Sequence, residues 1–380
     1  MGNGRAFVKK LLCLAVTVMF LFSLVLVGCG TKTPTTIQET AKSVEETKAS
    51  EATKAPEVTK APEADIMERT NMIQIVLGLI ENTQMGVTLS HEHILVGFIP
   101  EGKLVSTDYN REEVVEVILP YLVKLRDAGC DTFVDCSPEY LGRDPYILKE
   151  LSRRSGLHIL TNTGFYQTPY LPAFVHEISV EDLATIWINE ALHGLGDSGV
   201  RPGFIKIALN TGRLIPVQEK ILRAALLTAQ KAGLVIQSHT VGGEAIIHVL
   251  EIMKETEFDA RRFIWVHADS EPDIAFHIKA ASQGMWIEVD SIGTRPFEDH
   301  CRILRGLLDA GLKNKLLLSQ DAGWYNVGQV QGGQVRPYHP FFTEFIPAAL
   351  QWGLEQTVLN EMITVNPQKA FAILSGASIE

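Results

Sequence analysis

The sequence predicts an α/β protein that folds as a single (β/α)8 TIM barrel, and three observations lead to that class. Eight short runs of β-branched or aliphatic residues lie between positions 87 and 321, and stretches with helical periodicity separate them. The runs are apolar almost throughout, which is typical of parallel strands covered on both faces. A doubly wound open sheet is the structural alternative, but no Gly-x-Gly-x-x-Gly sequence follows the first strand, as a dinucleotide site would require.

The strand and helix candidates alternate along about 310 residues, a length within the range of one barrel. The predicted strands are 87–96, 132–135, 158–163, 204–209, 234–239, 263–267, 285–290 and 316–321. The predicted helices are 111–128, 144–155, 217–232, 243–254, 273–283 and 297–310. We therefore expect one globular domain over residues 66–380.

Residues 1–28 are typical of an export signal, because three basic residues and no acidic one accompany a long apolar run. The end of this run, Leu-Val-Gly-Cys at 26–29, resembles the bacterial lipobox, whose cysteine is lipidated and becomes the new N-terminus. A plain signal-anchor with an incidental cysteine is the alternative. We expect Cys29 to carry a lipid that anchors the protein at the extracytoplasmic face of a bacterial cell membrane without spanning it.

Residues 29–65 are expected to form a disordered tether. After Cys29 the segment has no aromatic residue and consists mainly of Thr, Lys, Glu, Ala and Pro, with the near-repeat ATKAPEVTKAPE at 52–63. Such a composition buries too little apolar surface to offset the entropy of ordering. The 36 residues after the cysteine would span roughly 30–35 Å as a flexible chain.

Composition and charge exclude several classes of protein. A formal charge of −11 leaves no basic surface for binding nucleic acid and does not favour electrostatic attachment to anionic lipids. The covalent lipid alone would therefore hold the protein at the membrane. Five cysteines in 380 residues are too few for a disulfide scaffold. The hydrophobic and charged fractions, 46% and 21%, are those of an ordinary globular protein.

Metal-capable or ionisable side chains fall at or near the carboxyl ends of five predicted strands, the face at which barrel active sites are built. They are His91, His93, Lys206, His239, His267 and Asp321. In an extended strand, His91 and His93 share one face and Glu92 points to the other. Imidazole and carboxylate ligands suit Zn²⁺ or a similar divalent ion.

Each of these residues alone also has a structural interpretation. A single histidine on a strand is commonly a hydrogen-bonded core residue, and Lys206 could form a buried salt bridge with an acid. A lysine between aliphatic residues on a buried strand is costly unless it is neutralised or paired. Reaction of its amine with CO₂ would give a carbamate, an anion that can bridge two cations. Four histidines, an aspartate and this lysine at matching strand ends favour the metal site.

Together these six residues resemble the binuclear metal centre of the amidohydrolase superfamily. The surrounding sequence resembles the phosphotriesterase-related branch of that superfamily, which includes phosphotriesterases and lactonases, and the resemblance covers about residues 71–375. The matching stretches are IQIVLGLI at 73–80, GVTLSHEH at 86–93, TGFY at 163–166, FIK at 204–206, SHT at 238–240 and NP at 366–367.

The resemblance implies a hydrolase with two divalent metal ions, with Zn²⁺ expected and manganese, cobalt or iron as alternatives. One ion would be held by the two histidines of strand one together with Asp321, and the other by His239 and His267. Carbamylated Lys206 and a hydroxide would bridge the two ions. Asp321 would orient the hydroxide and take its proton, and Tyr166, after strand three, would reach the substrate oxygen.

The expected substrate is a small-molecule ester, either a lactone or a related carboxylic ester, with a phosphotriester as the second chemistry. Phosphotriesterases have an acidic relay residue after strand six and a basic partner after strand seven, and Ser270 and Ser291 stand in those places here. Proton release would therefore follow a different route. Asp269, Glu288 and Asp290 are expected either to support the site or to lie at the surface or in loop caps.

Two further regions have alternative interpretations. Segment 322–338 follows the last predicted strand and contains Trp324 and Tyr325, which predicts a pocket wall or lid, with an ordinary rim loop as the alternative. The histidines in or beside helices are expected at the surface or in caps; they are His248, His277, His300 and His339.

The alternative function is a surface-tethered lipoprotein that binds a ligand or a metal without turnover. The intact ligand set favours the enzyme, because a binding protein has no need of a bridging lysine. The sequence leaves the oligomeric state open, and the resemblance is compatible with a homodimer.

Overall fold

The computed structural model of the protein describes residues 69–374. The predicted export signal 1–28, the tether 29–65 and the lipidation site Cys29 lie outside the described residues. Among residues 69–374, no helix combines the length and the apolar character that crossing a bilayer requires.

Strands and helices alternate through the described part of the chain. The strands are β1 (Met72–Ile75), β2 (Gly78–Glu81), β3 (Thr88–Val96), β4 (Thr132–Asp135), β5 (His158–Leu160), β6 (Asn162–Thr163), β7 (Phe204–Leu209), β8 (Val235–Thr240), β9 (Phe263–Val266), β10 (Trp286–Val289), β11 (Leu316–Leu318) and β12 (Gly323–Asn326). The α-helices are α1 (Arg111–Asp127), α2 (Pro145–Ser155), α3 (Val180–His193), α4 (Pro216–Ala232), α5 (Gly243–Glu255), α6 (Ile274–Ser282), α7 (Phe297–Asp309), α8 (Ile346–Gln351), α9 (Gln356–Asn360) and α10 (Asn366–Ala370).

The predicted elements agree closely with these bounds, and the differences have local causes. Each predicted helix is present, with ends shifted by no more than one residue. The last predicted strand extended to Asp321, but β11 ends at Leu318, and Asp321 has a φ of +53°, outside the extended region. The β1–β2 hairpin and helix α3 were not predicted.

The strands form two parallel sheets and one antiparallel hairpin. The six-stranded sheet has the order β6-β7-β8-β9-β10-β11, the four-stranded sheet has the order β5-β4-β3-β12, and the hairpin pairs β1 with β2. Segment 158–163 supplies both β5 and β6, and segment 316–326 supplies both β11 and β12, so each segment contributes one strand to each sheet. The predicted α/β class with parallel strands is confirmed.

The strands bury side chains on both faces. Ile205 on β7 belongs to the larger core, which also contains the apolar faces of the helices, whereas Phe204 belongs to a second cluster formed with neighbouring strands. Ile73 and Ile75 of the hairpin join this second cluster. Because side chains alternate along a strand, Lys206 shares the face of Phe204 and lies two residues closer to the carboxyl end.

Candidate metal centre

The six predicted ligand residues lie on parallel strands or within three residues after their carboxyl ends. They are His91 and His93 on β3, Lys206 on β7, His239 on β8, His267 after β9 and Asp321 after β11. These strands belong to both sheets, yet the side chains form one cluster, as the distances below show.

The first half of the cluster contains the β3 histidines. His91 Nε2 lies 3.3 Å from Lys206 Nζ and 3.7 Å from Asp321 Oδ1. His93 Nε2 lies 3.1 Å from the same Asp321 oxygen. Histidine nitrogens and a carboxylate oxygen therefore converge on one point beside the lysine.

The second half contains the histidines of the next strands. His267 Nε2 lies 2.8 Å from His239 Nδ1, and their ring centroids are 4.4 Å apart. The rings of His267 and His91 are 5.2 Å apart, so the two halves adjoin. Tyr166 places its hydroxyl 3.2 Å from His239 Nδ1, at the edge of this half.

Buried hydrogen bonds hold three histidines and set the tautomers of two of them. Asp290 Oδ2 accepts from His91 Nδ1 at 2.8 Å, and Asp290 Oδ1 accepts from His267 Nδ1 at 2.8 Å. His93 Nδ1 lies 2.9 Å from Ser137 Oγ. An ionised carboxylate can only accept, so the Nδ1 atoms that face Asp290 carry protons and the Nε2 atoms keep free lone pairs.

Lys206 is buried and has no acidic partner in the described part of the chain. It is 1% exposed, and within residues 69–374 no carboxylate lies within 4.0 Å of its amine. Its polar contact is His91 Nε2, which can only accept a hydrogen bond. The predicted alternative of a buried salt bridge is therefore absent from the described residues, and a buried amine without a counter-charge is costly.

Burial keeps three of the four histidines neutral, whereas for His267 the charge and hydrogen bond of Asp290 outweigh burial and raise the pKa. Burial, assisted by the charge of Lys206, lowers the pKa of His91 to about 3, and burial also lowers the pKa values of His93 and His239. Burial acts to raise the pKa of Asp321, but the nearby His91 and His93 lower it to about 2. Neutral imidazoles and an ionised carboxylate are the forms that ligate metals.

The residues fit a divalent cation. Asp321 Oδ1 is buried and makes no hydrogen bond with a described residue, although His93 Nε2 is only 3.1 Å away. Ligand atoms of His91, His93 and Asp321 all lie within 4.8 Å of one another. A cation with ligand distances near 2.0–2.2 Å would satisfy these converging lone pairs together.

Glu92 points away from the cluster, as predicted, but has a role there that the sequence did not reveal. Its carboxyl group accepts hydrogen bonds from Ser319 Oγ at 2.7 Å, Gln320 N at 3.1 Å and Ala322 N at 2.7 Å. Two of these donors are the backbone amides on either side of Asp321, whose φ is +53°. Glu92 thus holds the left-handed turn that presents Asp321.

The acids whose roles the sequence left open are all buried, so a surface role is wrong for them. Asp290 and Glu288 are fully buried on or beside β10, and Asp269 is 5% exposed. Ser291 donates to Asp269, whereas Ser270 is exposed and donates to a backbone carbonyl at 2.6 Å. Only Ser291 of the two serines contacts one of these acids in the described structure.

Aromatic rings form a wall beside the cluster. Trp324 packs on His93 with ring centroids 4.8 Å apart, and Phe98 stacks on Trp324 at 5.6 Å. Phe98 also contacts Tyr170 at 5.2 Å and Tyr166 at 6.3 Å. Phe98 and Tyr170 were not identified from the sequence, because they follow strands one and three in segments without a recognisable pattern.

The two aromatic residues after Asp321 face different ways. Trp324 lies in the wall, as predicted for a pocket residue. Tyr325 is 4% exposed and donates its hydroxyl to Glu113 on α1 at 3.0 Å, so it does not join the wall beside the cluster. It lines a different pocket, between Glu113 and Val327.

Comparison with known proteins gives the family that the sequence motifs resemble. Residues 71–371 match the Phosphotriesterase family. A phosphotriesterase homology protein of Escherichia coli strain K12 is 27% identical over 290 residues, covering 75% of this chain and 98% of that protein. The N-acetyltaurine hydrolase of Mus musculus is 26% identical over 339 residues, covering 78% of this chain and 97% of that protein. These relatives support a hydrolase, and the match over residues 71–371 establishes that the chain belongs to the phosphotriesterase family.

Proposed function

We propose that this protein is a hydrolase that requires two divalent metal ions and cleaves a small ester, either a lactone or a related carboxylic ester. The observation that carries the proposal is the cluster of four histidines and Asp321 around a buried lysine that has no acidic partner within residues 69–374. Family membership supports it, because hydrolysis is the activity named among the relatives.

We also propose that the two sheets close into one eight-stranded barrel. Segments 158–163 and 316–326 each pair with both sheets, and further hydrogen bonds join the second of them to β3. Asp321 N donates to His91 O at 3.0 Å, and His93 N donates to Ala322 O at 2.9 Å. Such a barrel places the cluster at the carboxyl-end face, where TIM-barrel active sites lie.

The chain's own residues would divide the work of the reaction. One ion would be bound by His91, His93 and Asp321. The second ion would be bound by His239 and His267, and carbamylated Lys206 would lie between the two ions. When bound, two such ions polarise the substrate oxygen and lower the pKa of water. The Asp321 carboxylate would accept the proton of the attacking water. The aromatic wall would bind the apolar part of the substrate and exclude solvent.

The aromatic wall and the named relatives indicate which substrate classes should be compared. The aromatic wall supports a substrate with a neutral, apolar part, as in a lactone or an ester. One named relative acts on an N-acetyl compound, so amides belong in the same test. Hydrolysis of a phosphotriester remains the second candidate reaction.

Metal content and a substrate panel test the proposal together. The full-length protein, purified without chelator and with bicarbonate present, should contain about two divalent ions per chain by elemental analysis. Lactones, carboxylic esters, N-acetyl amides and phosphotriesters would then be compared by kcat/KM. Absence of metal after reloading with Zn²⁺, Mn²⁺ or Co²⁺ would instead favour the binding lipoprotein, and turnover of amides alone would contradict the ester assignment.

Tyr166→Phe tests whether its hydroxyl donates to the substrate oxygen. We expect kcat/KM to fall on the order of 10²-fold, as for loss of one hydrogen-bond donor in the transition state. The number of ions bound at saturating Zn²⁺ should be unchanged, because phenylalanine keeps the ring beside His239 and removes only the hydroxyl group. Tyr146→Phe, on the exposed side of α2, is the matched control. Equal activity of both variants would exclude the role.

The proposed location is the extracytoplasmic face of the cell membrane, held by a lipid on Cys29. Mass spectrometry of the mature N-terminus measures this directly. We expect a chain that begins at Cys29 and carries a diacylglycerol group, and a Cys29→Ser variant without lipid. A mature chain with an unmodified Cys29 would contradict the anchor.

A further inference from the structure

A single buried carboxylate contacts one histidine from each half of the metal cluster. Asp290 follows β10 and is fully buried. Its Oδ2 accepts from His91 Nδ1 and its Oδ1 accepts from His267 Nδ1, both at 2.8 Å. Oδ2 also accepts from the backbone N–H of His267 at 3.0 Å. Both oxygens of the carboxylate are therefore used in holding the two histidines.

The backbone contact is needed because His267 has a strained conformation. Its φ is +60°, in the left-handed region that non-glycine residues rarely occupy. Asp290 thus fixes both the backbone and the ring of His267 while it orients the ring of His91. A rotation of this carboxylate that improves one histidine contact must disturb the other.

We infer that Asp290 is a positioning residue that couples the two metal sites, so that its loss weakens the binding of both ions together. The inference rests on the proposed function, in which His91 and His267 ligate different ions. In that arrangement the planar carboxylate sets the direction of one Nε2 lone pair toward each ion. Residues that hold the second nitrogen of a ligating histidine tune metal affinity by about 10- to 100-fold.

Ser137 supplies the matched control, because it contacts a histidine of one half only. Its Oγ lies 2.9 Å from His93 Nδ1, and Ser137 is as fully buried as Asp290. Ser137→Ala should therefore lower the affinity for one ion and leave the affinity for the second ion near its wild-type value.

The test variant is Asp290→Asn, which keeps the shape of the side chain but offers one acceptor oxygen instead of two. Its amide nitrogen cannot accept from an Nδ1–H, so the two histidines must share the remaining oxygen and neither ring keeps the hydrogen bond that it has in the wild type. The measurement is the number of Zn²⁺ ions bound per full-length chain as a function of buffered free Zn²⁺. We expect both apparent affinities to fall by about 10-fold or more.

Three outcomes separate the inference from the proposed function. Loss of both affinities in Asp290→Asn, with loss of only one in Ser137→Ala, supports the coupling. An Asp290→Asn variant that retains one or both ions at wild-type affinity overturns the coupling while leaving the proposed function intact. A wild-type chain that binds no ions overturns the proposed function itself, and the coupling with it.

Folding is checked on the same samples by circular dichroism of the metal-free proteins. If Asp290→Asn does not fold, Asp290→Glu replaces it, because glutamate keeps two acceptor oxygens on a longer side chain. The two affinities should again fall together in that variant. A fall confined to one ion in Asp290→Glu would overturn the coupling.

Discussion

Replacing Lys206 by alanine should remove metal and activity together. The lysine is 1% exposed, lies 3.3 Å from His91 Nε2 and has no acidic partner among residues 69–374. In the proposed function its carbamate is the anion shared by both ions, so its removal takes a ligand from each. Loss of metal assistance is worth several kcal/mol, or a fall in kcat/KM on the order of 10³-fold or more.

A second variant makes this prediction sharper. Lys206→Ala leaves a cavity on the face of Phe204, where acetate or propionate could take the place of the carbamate and restore part of the metal content and the activity. Lys206→Met fills the same space without an amine and should not be rescued. Metal content by elemental analysis and kcat/KM, each measured with and without the acid, provide the readout. Full metal content and turnover in Lys206→Ala would show that the bridging role is wrong.

Replacing Glu92 by methionine should be strongly destabilising and should also loosen Asp321. Methionine has a similar length but no acceptor, so it leaves the hydroxyl proton of Ser319 and the amides of Gln320 and Ala322 without an acceptor. Each unsatisfied buried donor costs about 1–3 kcal/mol, so we expect the free energy of unfolding to fall by about 3–5 kcal/mol. Urea unfolding of the metal-free protein measures this change.

Two further variants serve as comparisons for Glu92→Met. Burial raises the pKa of Glu92 to about 8, so an uncharged side chain suits this position. Glu92→Gln keeps a carbonyl oxygen and should cost less than the methionine variant, while Glu150→Met, on the exposed surface of α2, should change the free energy of unfolding by no more than about 0.5 kcal/mol. Equal stabilities of Glu92→Met and Glu150→Met would contradict this stabilising role of Glu92.

The strand-end residues could be predicted because their chemistry is unusual in its local sequence. A lysine within the run Phe-Ile-Lys-Ile-Ala and histidines at the ends of apolar strands are visible without a structure. The hydrogen bonds behind them are not visible, because they join distant strands. Asp290 and Glu92 act through contacts whose partners lie on other strands. No spacing rule within one segment reveals such pairs.

The helical histidines show the same limit from the opposite direction. His277 was expected at the surface or in a cap, yet it is 3% exposed and stacks on Trp265 with ring centroids 4.9 Å apart. Its Nε2 lies 2.7 Å from Ala268 O, in the loop directly after His267. His248 and His300 are also buried. Helical position alone gives little information on burial when helices pack closely against a sheet.

The candidate metal centre is built from both ends of the domain, and this sets when ions could be acquired. The hydrogen bond from Ala322 N to Glu92 joins residues 230 positions apart in the chain. Contacts of such separation form only after the entropy of closing a very long loop has been overcome. We therefore expect the metal-free chain to reach its topology before ions bind, in contrast to small zinc domains that fold only with their metal. With the proposed export, the ions would be taken up outside the cytoplasm, and activity would follow the metal supply of the surroundings.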